Sequence, residues 1–119
     1  MGHSYVSVKI YDKDQTKFEE ISLLVDTGST YTWINRDILV KLNITPKGKR
    51  KFTTIEGKLI EKEISEAIVE IFKEKATTIV VFGTKNDKQV LGVHALEGLG
   101  FEVDPITESL KKVEAVLAV

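Results

Sequence analysis

Residues 21–34 of the chain read ISLLVDTGSTYTWI. The apolar run that ends at Val25 predicts a buried β-strand, and Asp26 follows it directly in a tight Thr-Gly turn. A carboxylate at that position is costly for stability, because burial disfavours its charge and because Thr27 and Gly28 weaken a strand rather than extend it. Since local conflicts of this kind are expected at functional sites, Asp26 is the first candidate for a functional residue.

The composition excludes several classes of function. The chain has 119 residues, which predicts one domain spanning residues 1–119, and 42% of them are hydrophobic, enough for a modest core. Its net charge of −1 argues against a nucleic-acid or anionic-membrane partner, and no apolar run approaches the roughly 20 residues of a membrane span. With no cysteine and only two histidines, we expect no disulfide and no metal site, and we also expect no cofactor. These features are typical of a cytoplasmic protein, and the dominance of Lys and Glu is typical of a thermophile.

The hydrophobic periodicity predicts an all-β fold with one or two short helices. Candidate strands alternate apolar and polar residues or form short β-branched runs, and turn residues separate them. The predicted strands cover residues 4–11, 18–25, 31–34, 51–55, 58–64, 67–72, 77–82, 101–104 and 113–119, and the predicted helices cover residues 36–42 and 94–99. Glu56 and Gly57 suit a tight turn, so residues 51–64 form a candidate β-hairpin.

A second motif lies later in the chain. Val90, Leu91 and Gly92 form another apolar-apolar-Gly unit, and a short predicted helix follows it. Residues 24–34 resemble the active-site segment of aspartic peptidases, and residues 90–105 resemble the second half of a retropepsin-type domain, as in its microbial members. The two motifs stand in the family's order with the hairpin between them, so the resemblance extends over nearly the whole chain. It implies a closed or orthogonal retropepsin-like β-barrel in which the hairpin is the flap.

The resemblance implies a peptidase with two catalytic aspartates. Peptide hydrolysis without a metal or a covalent intermediate needs one carboxylate to activate water and one carboxylic acid to polarise the scissile carbonyl, and two Asp side chains about 3 Å apart share one proton. Because the chain contains a single Asp-Thr-Gly, the expected solution is a C2 homodimer with one Asp26 from each subunit. Carried over from the family, Thr27 hydrogen-bonds across the two-fold axis, and Gly28 lets the backbone approach the carboxylate and the substrate. Ser29 is placed to hydrogen-bond the outer oxygen of Asp26.

The flap is expected to close over an extended peptide or unfolded protein substrate by pairing with its main chain. The candidate tip consists of Thr53, Thr54, Ile55, Glu56 and Gly57. It has one glycine where viral flaps have several, which predicts a stiffer flap. It also lacks the Tyr that two-lobed relatives place against the Trp matched by Trp33. The partner of Trp33 is therefore open, as is the choice between core packing and substrate contact for its ring.

The pattern departs from viral members at the dimer contact. Those members carry Arg directly after the second-motif Gly and Asp two residues beyond the Asp-Thr-Gly, whereas this chain has Val93 and Thr30. Both residues of that ion pair are absent together, which indicates that another contact replaces the ion pair in this chain. Residues 113–119 are then a candidate dimer strand, although their pattern fits a core strand equally.

The resemblance predicts a homodimeric aspartic endopeptidase that works best at acidic to mildly acidic pH. The alternative is a catalytically silent dimeric domain on the same fold that binds peptides or mediates assembly, because fold does not guarantee activity. A third option is a nucleic-acid contact through the basic run at residues 47–51, which also fits a solvated loop. Three smaller points stay open. Asp26 could simply cap the turn, and His94 could be a helix cap or a ligand. Residues 84–89 could form a solvated loop or a pocket wall.

Overall fold

The computed structural model describes residues 4–115 and residue 118. Strands dominate this part of the chain, in agreement with the predicted all-β class. The strands are β1 Tyr5–Tyr11, β2 Phe18–Val25, β3 Thr32–Asn35, β4 Gly48–Thr53, β5 Leu59–Ile71, β6 Glu74–Gly83, β7 Val90–Leu91, β8 Phe101–Val103 and β9 Leu110–Lys112, and the helices are α1 Arg36–Lys41 and α2 Val93–Leu99. Within the described residues no helix is long and apolar enough to cross a membrane.

The main sheet closes on itself through strand β5. Seven strands form this sheet in the order β1-β2-β7-β3-β6-β5-β4, and β1 also pairs with β5. The additional pairing closes a barrel and leaves β4 attached outside the ring. Strand β5 is long enough for both contacts, because residues 59–64 pair with β4 and residues 68–70 pair with β1. The predicted retropepsin-like, barrel-type fold is confirmed, and the β4–β5 hairpin extends from its wall.

The core holds the strands that lead into the two sequence motifs. Alternate residues of β1 point inward, so Val8 and Ile10 are fully buried, and Leu23 of β2 and Leu91 of β7 belong to the same cluster. Leu96 of α2 packs into this cluster as well. Burial of each Leu or Ile side chain contributes about 1.5–3 kcal/mol. Because β2 and β7 are anchored in this way, the turns that follow them are held in fixed positions.

The structure corrects the predicted strands in the middle of the chain. The sequence predicts separate strands at residues 58–64 and 67–72, but β5 runs through both without a break. Ser65 and Glu66 do not interrupt the ladder, because both stay paired with β6 and keep the alternation of buried and exposed side chains. A small polar residue such as Ser65 fits a buried strand position once its neighbours continue the sheet.

The predicted C-terminal strand is wrong where the structure describes it. The sequence predicts a strand at residues 113–119, but residues 113–115 are not a strand, and residues 116, 117 and 119 lie outside the described residues. The strand found instead is β9, which pairs with β8 in a separate two-stranded sheet. The Asp104 carboxylate causes this early return of the chain, because its Oδ1 accepts the N–H of Ile106 at 2.8 Å and of Thr107 at 3.2 Å.

Candidate active site

Asp26 lies where two parallel strands of the barrel end together. Strands β2 and β7 pair with Val25 opposite Leu91, and the Asp26 N–H donates to the Leu91 carbonyl oxygen at 3.0 Å. The chain then turns sharply, since the Gly28 N–H donates to Asp26 Oδ1 at 2.9 Å and the Ser29 N–H donates to the Asp26 carbonyl oxygen at 3.1 Å. These bonds hold the carboxylate in a partly exposed position at the end of the buried strand.

Ser29 makes a different hydrogen bond from the one expected. Its hydroxyl donates to the Tyr31 carbonyl oxygen at 2.8 Å, and a hydroxyl has a single proton to donate. The bend at Thr30 and Tyr31 brings that carbonyl within reach, so the structure does not contain the expected bond from Ser29 to Asp26. Among residues 4–115 and 118, Asp26 Oδ2 has no hydrogen-bond partner.

The second motif meets the first through Gly92. A Cβ on this residue would stand 2.8 Å from the Thr30 carbonyl oxygen, a distance that real Cβ atoms essentially never show. The Gly92 N–H donates to the hydroxyl of Thr32 at 3.1 Å, and Thr32 is fully buried. Val90 and Leu91 are buried as well and hold Gly92 in place. Thr32 is a site residue that the sequence does not single out, because a β-branched residue in a strand is typical of simple packing.

Backbone hydrogen bonds join the two segments that carry the ion pair in viral members. The Val93 N–H donates to the Ser29 carbonyl oxygen at 2.8 Å, and the His94 N–H donates to the Thr30 carbonyl oxygen at 3.0 Å. Val93 and His94 begin α2, where amide groups have no partner within the helix and are free to bond elsewhere. The turn after Asp26 is therefore fastened to α2 without charged side chains at positions 30 and 93.

A cleft and a second cavity border the Asp26 turn. The cleft has a volume of about 620 Å³, and its walls are the Asp26 turn, the start of β3, strand β4 and the loop before β7. The second cavity, of about 450 Å³, is bordered by Asp26, Thr27, Ser4 and the turn that begins at Asp104. Asp26 and Gly28 border both, so the carboxylate lies at their junction.

The β4–β5 hairpin carries the predicted flap residues. Two of them, Thr53 and Thr54, line the cleft together with Asp26. The tip is closed by a hydrogen bond from the Gly57 N–H to the Thr54 carbonyl oxygen at 2.8 Å, and the φ of +85° at Gly57 favours glycine. The structure does not bring the remaining residues to the cleft wall; they form the exposed tip, which consists of Ile55, Glu56 and Gly57.

Phe52 of β4 is the partner of Trp33. The two ring centroids lie 5.2 Å apart, and Phe52 also meets Tyr31 edge-on at 6.2 Å. Trp33 is partly buried and lines the cleft, so its ring both packs against the hairpin and faces the site. This contact fixes the base of the hairpin over the cleft. Phe52 therefore provides the aromatic partner for Trp33 in a hairpin that has no Tyr.

The loop at residues 84–89 forms one wall of the cleft and is organised by Asp87. The Asp87 carboxylate accepts hydrogen bonds from the Thr84 N–H at 2.8 Å, from the Thr84 hydroxyl at 3.0 Å and from Lys62 Nζ at 2.9 Å. Partial burial raises the pKa of Asp87, but these hydrogen bonds and the Lys62 charge outweigh it and hold the pKa below its usual value. Asp87 and Lys88 line the cleft with Asp26. From the sequence alone, residues 84–89 could be either a solvated loop or a pocket wall, and the structure places Asp87 and Lys88 of this loop in the cleft wall.

A family model described as aspartyl protease matches residues 6–95. The match begins in β1, includes both motifs and the hairpin between them, and ends in α2. The chain belongs to the aspartyl protease family. The resemblance stated from the sequence is thereby confirmed, and the chain is supported as a peptide-bond hydrolase. No curated protein sequence matches it.

The aspartyl protease motif is assembled by neighbouring turns in this chain. Asp26, Thr27 and Gly28 occupy one turn, and Gly92 of the second motif lies against the backbone that follows this turn. Thr54 at the end of β4 borders the same cleft. The catalytic roles assigned to these residues from the family stay predictions, whereas their proximity is a property of the fold.

Proposed function

We propose that this chain is one half of a homodimeric aspartic endopeptidase. The observation that carries the proposal is the position of Asp26, whose carboxylate is fixed at a partly exposed turn at the junction of a cleft and a cavity. The sequence contains one Asp-Thr-Gly, and a two-carboxylate mechanism needs a second one. A two-fold axis close to Asp26 brings the partner's carboxylate to the same place.

The proposed mechanism uses the two Asp26 carboxylates with one shared proton. The ionised carboxylate removes a proton from a water molecule, which attacks the scissile carbonyl carbon, while the protonated partner donates to the carbonyl oxygen. The tetrahedral diol collapses when the leaving amine takes a proton from the dyad and the C–N bond breaks, and one diol hydroxyl returns its proton to the dyad, which restores the single shared proton. The Gly28 N–H orients Asp26 by holding Oδ1 at 2.9 Å. Thr27, on the same turn, is assigned the bond across the axis.

The proposed substrate is an extended peptide or an unfolded protein segment. Strand β4 is the last strand of the main sheet, so within the described residues no further strand pairs with its outer edge, and its residues line the cleft with Asp26. An extended peptide pairs with such an edge through its own main chain. The aromatic base formed by Tyr31, Trp33 and Phe52 offers apolar contact to substrate side chains.

A second candidate function is a catalytically silent dimeric domain that binds peptides or mediates assembly. The hairpin tip favours it, because the tip has one glycine and is further tied by a hydrogen bond from the Lys58 N–H to Thr54 Oγ1 at 3.0 Å. A tip held in this way opens less readily. This candidate predicts that the wild-type protein binds extended peptides without cutting them. The nucleic-acid option is disfavoured by the net charge of −1 for the whole chain, and Lys47 of the basic run is also paired with Glu66 at 2.9 Å.

The test of the proposal is Asp26→Asn, assayed alone and in mixtures with the wild type. We expect the variant to lose peptide cleavage across about pH 3–7 while its fold and its sedimentation as a dimer stay unchanged. In re-equilibrated mixtures, activity per chain falls as the square of the wild-type fraction, because a dimer with one Asn is inactive. A linear decrease, or undiminished cleavage by the variant, would contradict a shared site. Peptide binding without cleavage by the wild type would support the silent domain.

A further inference from the structure

The cleft beside Asp26 carries an excess of positive charge. Its lining includes the cationic side chains of Arg50, Lys51 and Lys88. Besides Asp26, the acidic side chain in this lining is Asp87, which is already paired with Lys62 at 2.9 Å. The whole chain has a net charge of −1, so the positive charge is a local property of this cleft and not of the molecule.

Arg50 is held in a defined orientation at the base of the hairpin. Its guanidinium carbon lies 5.4 Å from the centroid of the Tyr31 ring, and Nη1 donates to the Tyr31 hydroxyl. Tyr31 is in turn held edge-on by Phe52 and by His94, each at 6.2 Å. A guanidinium has further N–H donors in a rigid fork, and a single contact to a hydroxyl leaves the others available.

Arg50 has no carboxylate partner within the part of the chain that the structure describes. The other arginine, Arg36, is paired with Glu63. Arg50 stands opposite Lys62 in the β4–β5 ladder, and the Asp87 carboxylate on that side is bonded to Lys62 at 2.9 Å. The fold therefore presents one oriented but unneutralised guanidinium to the same cleft as Asp26. Bidentate recognition of a carboxylate is the interaction that such a group makes best.

We propose that Arg50 selects substrates with an Asp or Glu side chain, which binds in the subsite between β4 and Tyr31; this rests on the endopeptidase function proposed above. An extended peptide along the edge of β4 passes the guanidinium, and a carboxylate there replaces the partner that the chain itself does not supply. Lys51 and Lys88 add a general attraction for acidic peptides but have no comparable fixed orientation. The two-fold axis repeats the subsite, so the preference occurs at one position on each side of the scissile bond.

The decisive measurement compares Glu with Gln at each position of a cleavable peptide, from four residues before to four residues after the cut. Glu and Gln have the same shape, so the ratio of their kcat/KM values isolates charge. For the wild type we expect a ratio of about 5 to 10 at the preferred positions near pH 6. The ratio should approach one when the substrate Glu is protonated, below its ordinary pKa of about 4.3. A ratio near one at every position at pH 6 would overturn the proposal.

Variants assign the preference to Arg50. Arg50→Gln should lower the ratio at the preferred positions to the level of the other positions, where Lys51 and Lys88 supply only a general attraction. Arg50→Lys should keep part of the excess, because the charge remains but the fork is lost. The matched control is Lys49→Gln, on the same strand but outside the cleft wall, which should leave the ratio unchanged. A ratio equally reduced in both variants would assign the effect to overall charge and contradict a role for Arg50. Thermal unfolding of each variant checks that the fold is intact.

A binding measurement separates this inference from the proposed activity. Asp26→Asn protein is titrated with fluorescent Glu and Gln peptides, and the Glu peptide should bind about 5-fold more tightly, with the difference lost in Asp26→Asn/Arg50→Gln. If the wild type cuts no peptide but this difference persists, the catalytic proposal fails and the acidic subsite stands. If peptides are cut but Asp26→Asn shows no difference, the subsite proposal fails alone. Displacement of the Glu peptide by a single-stranded oligonucleotide at equal affinity would instead indicate a nucleic-acid surface and overturn it.

Discussion

Gly92 lies directly against the backbone of Tyr31. A Cβ carbon built on Gly92 would stand 2.4 Å from the Tyr31 carbonyl oxygen and 2.6 Å from its carbonyl carbon. Both atoms belong to the main chain, so no side chain can rotate away to make room. The same carbonyl oxygen accepts the hydroxyl of Ser29. The turn that carries Asp26 is therefore packed against the second motif at van der Waals contact.

Gly92→Ala should displace the Asp26 turn and destabilise the fold. The added methyl group must push the backbone at Tyr31 aside, which costs about 1–3 kcal/mol of unfolding free energy. Peptidase activity should fall by more than the decrease in the folded fraction accounts for, because Asp26 moves with the turn. Urea unfolding measures the first effect, and kcat/KM of the folded variant measures the second.

Gly98→Ala is the matched control for this variant. Gly98 lies within α2, and a Cβ there would lie 3.5 Å from the Ala76 Cβ, an ordinary contact. The substitution should stabilise the protein by about 0.5–1 kcal/mol, because Ala favours the helix over the unfolded chain. Equal stabilities for Gly92→Ala and the wild type would show that the contact with Tyr31 is not restrictive.

Periodicity predicts most of the barrel, and the errors have local causes. Apolar alternation identifies β1 and β2 almost to the residue, and Asn35 and Gly100 mark the start of α1 and the end of α2. The turn between β5 and β6 gives no such signal. It uses Phe72 and Lys73 at φ of 49° and 70°, a conformation that Asn and Gly adopt more readily. Sheet pairing imposes it against local preference.

In the candidate site, too, residues in short sequence motifs can be predicted, whereas residues brought together by strand pairing cannot. Asp26 and Gly92 are recognisable from the sequence, because each belongs to a short motif with its own chemistry. Thr32, Arg50 and Asp87 are harder to assign: Thr32 has the pattern of an ordinary strand residue, and Arg50 and Asp87 stand out in the sequence only as members of a basic run and a polar loop whose roles it leaves open. The approach of Arg50 and Asp87 to Asp26, and of Thr32 to Gly92, depends on the pairing of strands distant in sequence, which a single sequence does not report.

Phe52→Ala should loosen the hairpin over the cleft. The substitution removes the ring that packs against Trp33 at 5.2 Å, and it leaves part of the cleft wall open to water. We expect kcat/KM to fall about tenfold or more, mainly through KM, since loss of an aromatic contact and its burial costs at least about 1.4 kcal/mol. The control is Leu59→Ala, on the neighbouring strand, where the side chain is already 61% exposed. Equal KM values for the two variants would contradict a role for Phe52 in positioning the hairpin.

Asp87→Asn should make the stability of the cleft wall less dependent on pH. The folded-state pKa of Asp87 lies below the unfolded value of about 3.9, because hydrogen bonds from Thr84 and the charge of Lys62 outweigh desolvation. The ionised carboxylate therefore stabilises the fold above that value, and this contribution is lost as pH falls through it and through the folded-state pKa. We expect the variant to lose about 1 kcal/mol near pH 7 and almost nothing at low pH.

Unfolding in urea at several pH values tests this expectation. Asp14→Asn is the control, because Asp14 is exposed in the β1–β2 turn and makes no side-chain hydrogen bond or ion pair with the described residues. A stability difference for Asp87→Asn that is equal at pH 7 and at low pH would show that shape, and not charge, holds the loop.

Ile106→Lys should weaken the proposed dimer. Ile106 is 90% exposed at the tip of the β8–β9 turn, and this turn borders the cavity that also contains Asp26 and Thr27. The turn is held by the Asp104 carboxylate and tied to Ser4, whose hydroxyl donates to the Glu108 carbonyl oxygen. A rigid turn that presents a large apolar side chain beside the proposed two-fold axis fits a contact with a second copy of the chain. A lysine ammonium buried there has no described partner, so the dimer dissociation constant should rise about tenfold or more.

Sedimentation equilibrium measures this change directly, and the concentration dependence of peptidase activity should shift by the same factor. Val40→Lys is the control, because Val40 is 56% exposed on α1 and borders neither the cleft nor the cavity at Asp26. It should leave the dissociation constant unchanged. Since the Asp104 turn is held through backbone amides, Ile106→Lys should keep the monomer fold, as checked by circular dichroism. Equal dissociation constants for Ile106→Lys and the wild type would place the dimer contact elsewhere, and activity would then depend on concentration without any contribution from this turn.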